Sequence, residues 1–400
     1  MNRVPVLQDY DLSSGTGFLP HVSASSRLSS YYDPWELLSD ELSVHIKSGT
    51  IRERIRHIET LTTNRLRTEG DWRRAYSILS YLISAYIWTG ETPQDVIPQS
   101  LSVPYLAFCE RVEMPPVITY TALILWNTEF ASNQNINDFS LDNLKVCRSF
   151  TGTPDERWFH RMCAAMEAKA GPAIEKLLLA TKAVSSSDIK TITATLHFVT
   201  ETIQDLTTLL QELNRRVNPN IWFSKLRPYL AGSIDGQLQQ GISFDNGDTY
   251  LRLAGANAGQ SSLFQFFDIA LGIDHVSDFA ARMRNYMPGP HARFLAAMEK
   301  SASIRAFVIA NAEERDLQTA YDACLKELEL FRNKHIQIVS RYIVIPAREA
   351  ARKALSSEAS HAESEGGRKE LRGVGGAPLM PFLRGMRDET RSSKLFSVEE

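Results

Sequence analysis

The chain has 400 residues, with 44 Lys and Arg against 47 Asp and Glu and a formal net charge of -3 at pH 7. With 43% hydrophobic and 23% charged residues, it is long enough to bury a large core and to divide into two packed domains. No dense basic stripe appears, so a nucleic-acid partner is not expected, and a small molecule fits better.

The four cysteines, Cys109, Cys147, Cys163 and Cys324, are scattered and form no CxxC pair, as expected of reduced thiols in a cytosolic protein. The opening stretch MNRVPVLQDYDLSS has neither the apolar core of a secretory signal nor the character of an Arg-rich presequence. Charge interrupts every apolar run before about 18 residues, so no membrane-spanning helix is expected. The expected location is the cytoplasm.

From about Asp71 to Thr89, the residues Trp72, Tyr76, Leu79, Leu82, Ile83 and Tyr86 line one side of a predicted helix that Gly90 stops. Thr153-Pro154-Asp155-Glu156 reads as a capping box with proline at the first helical position. The helix it opens carries Phe159, Met162, Cys163 and Met166, and is expected to end before Gly171-Pro172. The strongest periodicity follows. Ile189, Ile192, Leu196, Val199, Ile203, Leu206, Leu210 and Leu213 recur at 3-4 spacing, which only a long amphipathic helix explains, with Ser187 placed to cap it.

Asn218-Pro219 opens a short helix in which Arg227 lies among Trp222, Phe223, Leu226, Tyr229 and Leu230. The last long helix is predicted from about Leu317 to Ile345, with Cys324, Leu328, Phe331, His335, Ile338 and Tyr342 in one stripe and Pro346 as its stop. Residues 352-376 contain no Phe, Tyr or Trp and are rich in Ser, Glu and Gly. A mobile loop is expected there, either a lid or an idle insertion, before apolar Leu379 to Leu383 packs back on the body. No run of period-2 segments is found, and the expected fold class is all-α.

Nine histidines are present without an HExxH, a His-Cys cluster or a tight two-His-one-carboxylate group, and a GxSxG elbow and a Walker loop are also missing. Zinc, hydrolase and phosphotransferase chemistry therefore lack support. What remains is His335, alone in an apolar stripe. Burying an unpaired polar group costs about 1 to 3 kcal/mol, so its imidazole needs a partner. One reading is a core histidine bonded to a backbone carbonyl. The other is axial ligation of a haem, which takes one neutral histidine on a rigid helix. Periodicity leaves both open. The GANAG stretch, Gly255 to Gly259, is weak evidence for a phosphate loop because no strand precedes it. His160 and His291 have no assignable role.

The segment HIQIVSRYIVIPA, His335 to Ala347, resembles the proximal haem helix of the indoleamine 2,3-dioxygenase family. Further blocks resemble that family in the same order: MPPVITYTALILWN from Met114, NPNIWFSKLRPYL from Asn218, AGQSSLFQFFDIALGI from Ala258, MRNYMPGPH from Met283 and LQTAYDACLKEL from Leu317. The resemblance runs from about Asp33 to Leu383. It implies a small N-terminal helical domain, 1-149, that contributes to a distal pocket and packs on a larger haem-binding domain, 150-400.

The resemblance also implies haem b as cofactor, with His335 as the proximal iron ligand. It implies that Arg332 pairs with Asp268 to hold the proximal side and a haem propionate, and that the loop containing Ala256 lies near a propionate. On the distal side it places Phe159 as the active-site aromatic, Cys163 where the family usually has Ser, and Tyr120 and Leu123 in the pocket wall. Trp222 would confine the indole, and Arg227 would bind the substrate carboxylate with its planar guanidinium. Asn257 and Val374 fall on a loop Ser and a lid Thr of the family. Plainer readings stand beside these: core packing for the aromatic residues and Leu123, an inert thiol for Cys163, a solvated helix face for Arg227 and a surface ion pair for Arg332.

The implied reaction inserts both atoms of O2 across the indole C2-C3 bond of L-tryptophan or a related indoleamine. Its product is N-formylkynurenine, the first step of the kynurenine pathway and a source of NAD precursors. A cellular reductant would serve the iron, no acid-base residue is needed, and a monomer is expected. The alternatives are a haem protein of this family that binds O2 or another ligand without efficient turnover, as a carrier or sensor, and a haem-free helical scaffold.

Trp222 stands where family members tend to carry Phe, and Val374 lacks the hydroxyl of the family's Thr. Losing such a hydrogen bond costs about 0.5 to 1.5 kcal/mol, so L-tryptophan is expected to bind more weakly here than in members with Phe and Thr. Trp222→Phe combined with Val374→Thr is expected to lower KM at unchanged haem content. An unchanged or higher KM would show that the pocket compensates elsewhere.

Overall fold

Helices make up nearly all regular structure in this computed structural model, which describes residues 4–20, 27–130, 140–234, 237–358 and 371–396. Among the described residues, one sheet is formed by two short antiparallel strands, β1 (Thr128–Phe130) and β2 (Leu144–Val146). The fold is all-α. No described helix is long and apolar enough to cross a membrane.

Helix α1 (Glu69–Trp88) begins two residues before its predicted start, because Thr68 and Asp71 cap each other's backbone N–H groups. Every residue from Arg73 to Ile87 is buried, so this helix is covered on all sides. Its charges are paired: Arg74 Nε and Nη2 donate to the two oxygens of buried Glu36, each at 2.6 Å.

Helix α2 (Pro154–Ser186) starts at Thr153, whose side chain accepts from the Glu156 N–H. The Glu156 carboxylate does not complete a capping box. It accepts from the N–H groups of Phe150 and Thr151 and from the Ser149 and Thr151 hydroxyls. The expected stop at Gly171-Pro172 is overturned, since the helix runs fifteen residues further. Gly171 serves a close approach instead: a Cβ there would lie 2.4 Å from the Gly15 carbonyl oxygen and 2.7 Å from the Thr16 backbone. Pro172 forfeits one helical hydrogen bond, and burial of Ala173, Ile174 and Leu177 beyond it carries the helix through.

Ser187 ends α2 in the left-handed region at φ 53°, and the cap of helix α3 (Ile189–Arg216) is Asp188, not Ser187. The periodic stripe of α3 packs against α2 and against a third long helix further along the chain. After α3 come helix α4 (Ser262–Leu271) and that third helix, α5 (Arg315–Val339).

Pro346 does not stop the chain either. A π-turn, Ser340–Val344, follows α5, and helix α6 (Ile345–Glu358) contains the proline in its first turn. The Ile345 N–H reaches back five residues to the Ser340 carbonyl, so the ladder is already offset where the donor-less proline enters. Of the loop expected over 352-376, residues up to 358 continue α6 and 359–370 lie outside the described residues. The Val374 carbonyl accepts from the Gly255 N–H at 2.7 Å, and helix α7 (Leu379–Ser392) then packs along α5. One contiguous hydrophobic cluster runs from Leu7 to Tyr342.

Gly171→Ala is expected to lower stability by about 1 to 3 kcal/mol, as overpacking does. Thermal unfolding followed by circular dichroism checks this. An unchanged Tm would mean that the Gly15-Thr16 segment moves away freely.

Candidate active site

His335 lies near the C-terminal end of α5. Its imidazole keeps some open surface, yet it sits deep enough that burial pushes its pKa down to about 4, with a smaller contribution from Arg332. It is therefore neutral at ordinary pH and has a lone pair to offer. One turn earlier, Phe331 stacks on Phe264 of α4, with ring centroids 4.7 Å apart. One turn before His335, Arg332 Nη2 donates to Asp268 Oδ1 at 2.5 Å, and these side chains are 10% and 6% exposed. Arg332 Nη1 donates to the Met386 carbonyl at 2.9 Å and to the Thr390 hydroxyl, both on α7. The other Asp268 oxygen faces His275 Nε2 at 2.9 Å.

Phe159 and Cys163 lie on α2. Phe159 meets Trp222 edge-on at 5.7 Å, and Trp222 in turn meets Tyr342 at 6.2 Å. Cys163 is half-buried, and burial pushes its thiol up to about 12, so it is not a nucleophile. Glu167 follows one turn later on the same face. It accepts from the Tyr120 hydroxyl at 2.9 Å and the Ser261 hydroxyl at 2.7 Å. Burial lifts the Glu167 pKa to about 7 against the opposing effect of those two hydrogen bonds. Tyr120 is further fixed by its own N–H, which donates to Gln260 Oε1 at 2.9 Å. Leu123 is buried inside the π-turn that follows, Thr121–Leu125.

Trp222 opens a second π-turn, Trp222–Leu226, and Arg227 stands at its end with its guanidinium 5.4 Å from the Phe223 ring centre. The GANAG loop docks against this turn backbone to backbone. Ala256 N–H donates to the Leu230 carbonyl at 2.9 Å, and a Cβ on Gly255 would lie 2.2 Å from that same oxygen. Asn257 uses its amide within the loop, donating to the Gly255 carbonyl and accepting from the Gly259 N–H, each at 2.9 Å.

The structure thus joins Arg332 to Asp268, Phe159 to Trp222, Ala256 to Leu230 in the segment that follows Arg227, and Val374 to Gly255. It adds residues that sequence reasoning missed. Glu167 sits four residues after Cys163 in the same stripe, where an acid amid alanines was the available signal. Ser261, Gln260, Phe264 and His275 carry no local signal. His160, 0% exposed, has no hydrogen-bond partner for either ring nitrogen, and burial lowers its pKa.

Phe159, Tyr120, Cys163, Phe264 and His335 are each only partly buried. A neutral, unprotonated imidazole among aromatic walls, with an Arg–Asp pair beside it, fits one axial bond to a haem. The fold is all-α, and His335 stands beside the Arg332–Asp268 pair. The indoleamine 2,3-dioxygenase family profile matches residues 6–393, and the chain belongs to that family of haem-dependent oxidoreductases.

The 6-hydroxytryptophan 2,3-dioxygenase of Fusarium equiseti is 36% identical over 395 residues, which covers 97% of each chain. The indoleamine 2,3-dioxygenase of Saccharomyces cerevisiae is 33% identical over 425 residues, covering 98% of this chain and 94% of the yeast one. Indoleamine 2,3-dioxygenase 1 of Mus musculus is 31% identical over 401 residues, covering 98% and 96%.

A carboxyl group whose pKa rises from 4.5 unfolded to about 7 folded keeps its proton in the native state between those values. Its contribution to stability is full below the unfolded value and is lost as pH rises toward 7. Glu167→Gln is expected to flatten this part of the Tm-against-pH curve and to raise Tm at about pH 8. A variant curve parallel to wild type would place the titration elsewhere.

Proposed function

We propose that this chain is a tryptophan-opening dioxygenase that uses haem b held by His335 to convert L-tryptophan and O2 to N-formylkynurenine. The observation that carries this is the neutral imidazole of His335, buried in an apolar stripe beside the Arg332–Asp268 pair. When bound, the haem supplies the oxygen chemistry. The protein's part is position and exclusion of water. Arg227 takes the substrate carboxylate in a bidentate contact, and the Phe223 face below it limits where the guanidinium can go. Phe159, Trp222, Leu123 and Tyr120 confine the indole, and Cys163 leaves room for it. The loop of Ala256 and Asn257, closed over by Val374, covers the carboxylate end.

In this reading residues 1-149 supply Tyr120 and Leu123 to the distal wall as a small domain. A cellular reductant maintains the iron, and the enzyme works as a cytoplasmic monomer. An intact Arg227 favours turnover over a carrier or sensor role.

A second reading takes 6-hydroxytryptophan as the substrate, since one relative is named 6-hydroxytryptophan 2,3-dioxygenase.

Purified protein is reduced without O2, then given O2 and L-tryptophan or 6-hydroxy-L-tryptophan, and the formylkynurenine products are quantified. His335→Ala is expected to lose the Soret band while keeping its helix content, and a normal Soret band there would overturn the ligand assignment. Soret absorption without product would favour the carrier. The second reading requires kcat/KM to be higher for the hydroxylated substrate than for L-tryptophan.

A further inference from the structure

A cluster of charges fastens α7 over the proximal side. His275, in the turn after α4, is 10% exposed, and its Nε2 lies 2.9 Å from Asp268 Oδ2 while its Nδ1 lies 2.6 Å from Glu389 Oε2 on α7. The Val276 N–H donates to the other Glu389 oxygen at 3.2 Å. Both ring nitrogens thus face carboxylate oxygens, which only accept. A neutral imidazole has a single N–H, so the lone pair on its other ring nitrogen would oppose a carboxylate at hydrogen-bond distance. An imidazolium satisfies both contacts and balances the cluster, with Arg332 and His275 against Asp268 and Glu389. A neutral His275 would leave the half-buried Glu389 without its counter-ion.

We infer that His275, as an imidazolium, is a positioning residue of the proximal side: it clasps Glu389 of α7 to Asp268 and thereby holds the Asp268–Arg332 pair and helix α5 in register. The helix part of this inference stands by itself. Only its haem readout rests on the assignment of His335 as the iron ligand.

The charged groups around His275 are few. Asp268 comes from α4, Glu389 from α7 and Arg332 from α5. Arg305, on the short helix Ile304–Ala310, shares the cleft at the end of α7 with Asp274, Asp388 and Glu389 and donates to the Ser393 carbonyl. Glu329, one turn before Arg332 on α5, pairs with Arg391 of α7 and with Lys394 just beyond its end. Burial acts to lower the His275 pKa, but the hydrogen bonds and charges of Asp268 and Glu389 outweigh it, and the net shift is upward from 6.5. A raised histidine pKa contributes stability that is complete below 6.5 and is lost as pH rises through the folded value. The clasp is therefore closed in mild acid and loosens as pH rises through the raised value.

Two quantities test this at about pH 6 and about pH 9, on either side of a raised histidine pKa. One is the hydrogen-exchange protection factor of peptides from Leu379–Ser392. The other is the rate of ferric haem transfer from the holoenzyme to excess apomyoglobin. Wild type is expected to lose protection about tenfold and to release haem several-fold faster at the higher pH. Glu389→Gln lets a neutral His275 donate to Asp268 while accepting from the new amide, so both quantities are expected to become independent of pH and to stay near the wild-type low-pH values. His275→Gln is expected to be pH-independent at the weakened level. A flat wild-type profile, or the wild-type profile retained in His275→Gln or in Glu389→Gln, would overturn the inference. Protein purified without any haem would instead count against the iron assignment and leave the exchange measurement to decide the clasp.

Discussion

A neutral imidazole inside an apolar helix is useful only if the helix cannot turn, because a rotation of a few tens of degrees would point its lone pair into hydrocarbon. The rest of this structure answers that constraint around α5. Before His335, Phe331 is stacked on Phe264, and Arg332 is tied to Asp268 and to α7. After it, the Tyr342 hydroxyl bridges the carbonyls of Leu213 and Val217 at the end of α3, at 2.7 and 2.8 Å. Donors, acceptors and aromatic faces thus grip the helix on both sides of the histidine. Such over-determined support is what the ligand role proposed for His335 would need, since one protein ligand has no second to correct its placement.

Glu167 does for the distal side what Asp268 does for the proximal one. It draws together Tyr120, which precedes the polar 131–139 stretch, Ser261 at the start of α4, and the middle of α2. Three distant stretches of chain are fixed against each other by one side chain. It is also an acid held near neutrality, and the tie therefore keeps a hydrogen-bonding role in either protonation state. The Asp268 tie differs because its partners are cations.

Periodicity made the long helices legible. The eight apolar residues from Ile189 to Leu213 mark α3 because burial against both α2 and α5 demands that spacing. The chain breakers misled. Gly171-Pro172 and Pro346 were read as stops since their local effect is real, but packing beyond each of them outweighs one lost hydrogen bond. Ser187 was read as a cap, and a left-handed residue stands there with Asp188 capping instead. In the site, the single histidine stood out from its stripe, whereas its role came from the resemblance. Glu167 and His275 were illegible for a common reason: each acquires its meaning from partners more than forty residues away in at least one contact, and no spacing rule reaches that far.

The three π-turns, Thr121–Leu125, Trp222–Leu226 and Ser340–Val344, each adjoin site residues: Tyr120 and Leu123, Trp222 and Arg227, and the helix of His335. Each π-turn is a helix with one residue too many. Deleting that residue would restore an ordinary ladder, and the variant would look healthier by every measure of helix content. Everything beyond it, however, would be turned by about 100° relative to what precedes it. These places therefore act as gauges of chain length: the count of residues there sets the direction in which the neighbouring site residues face.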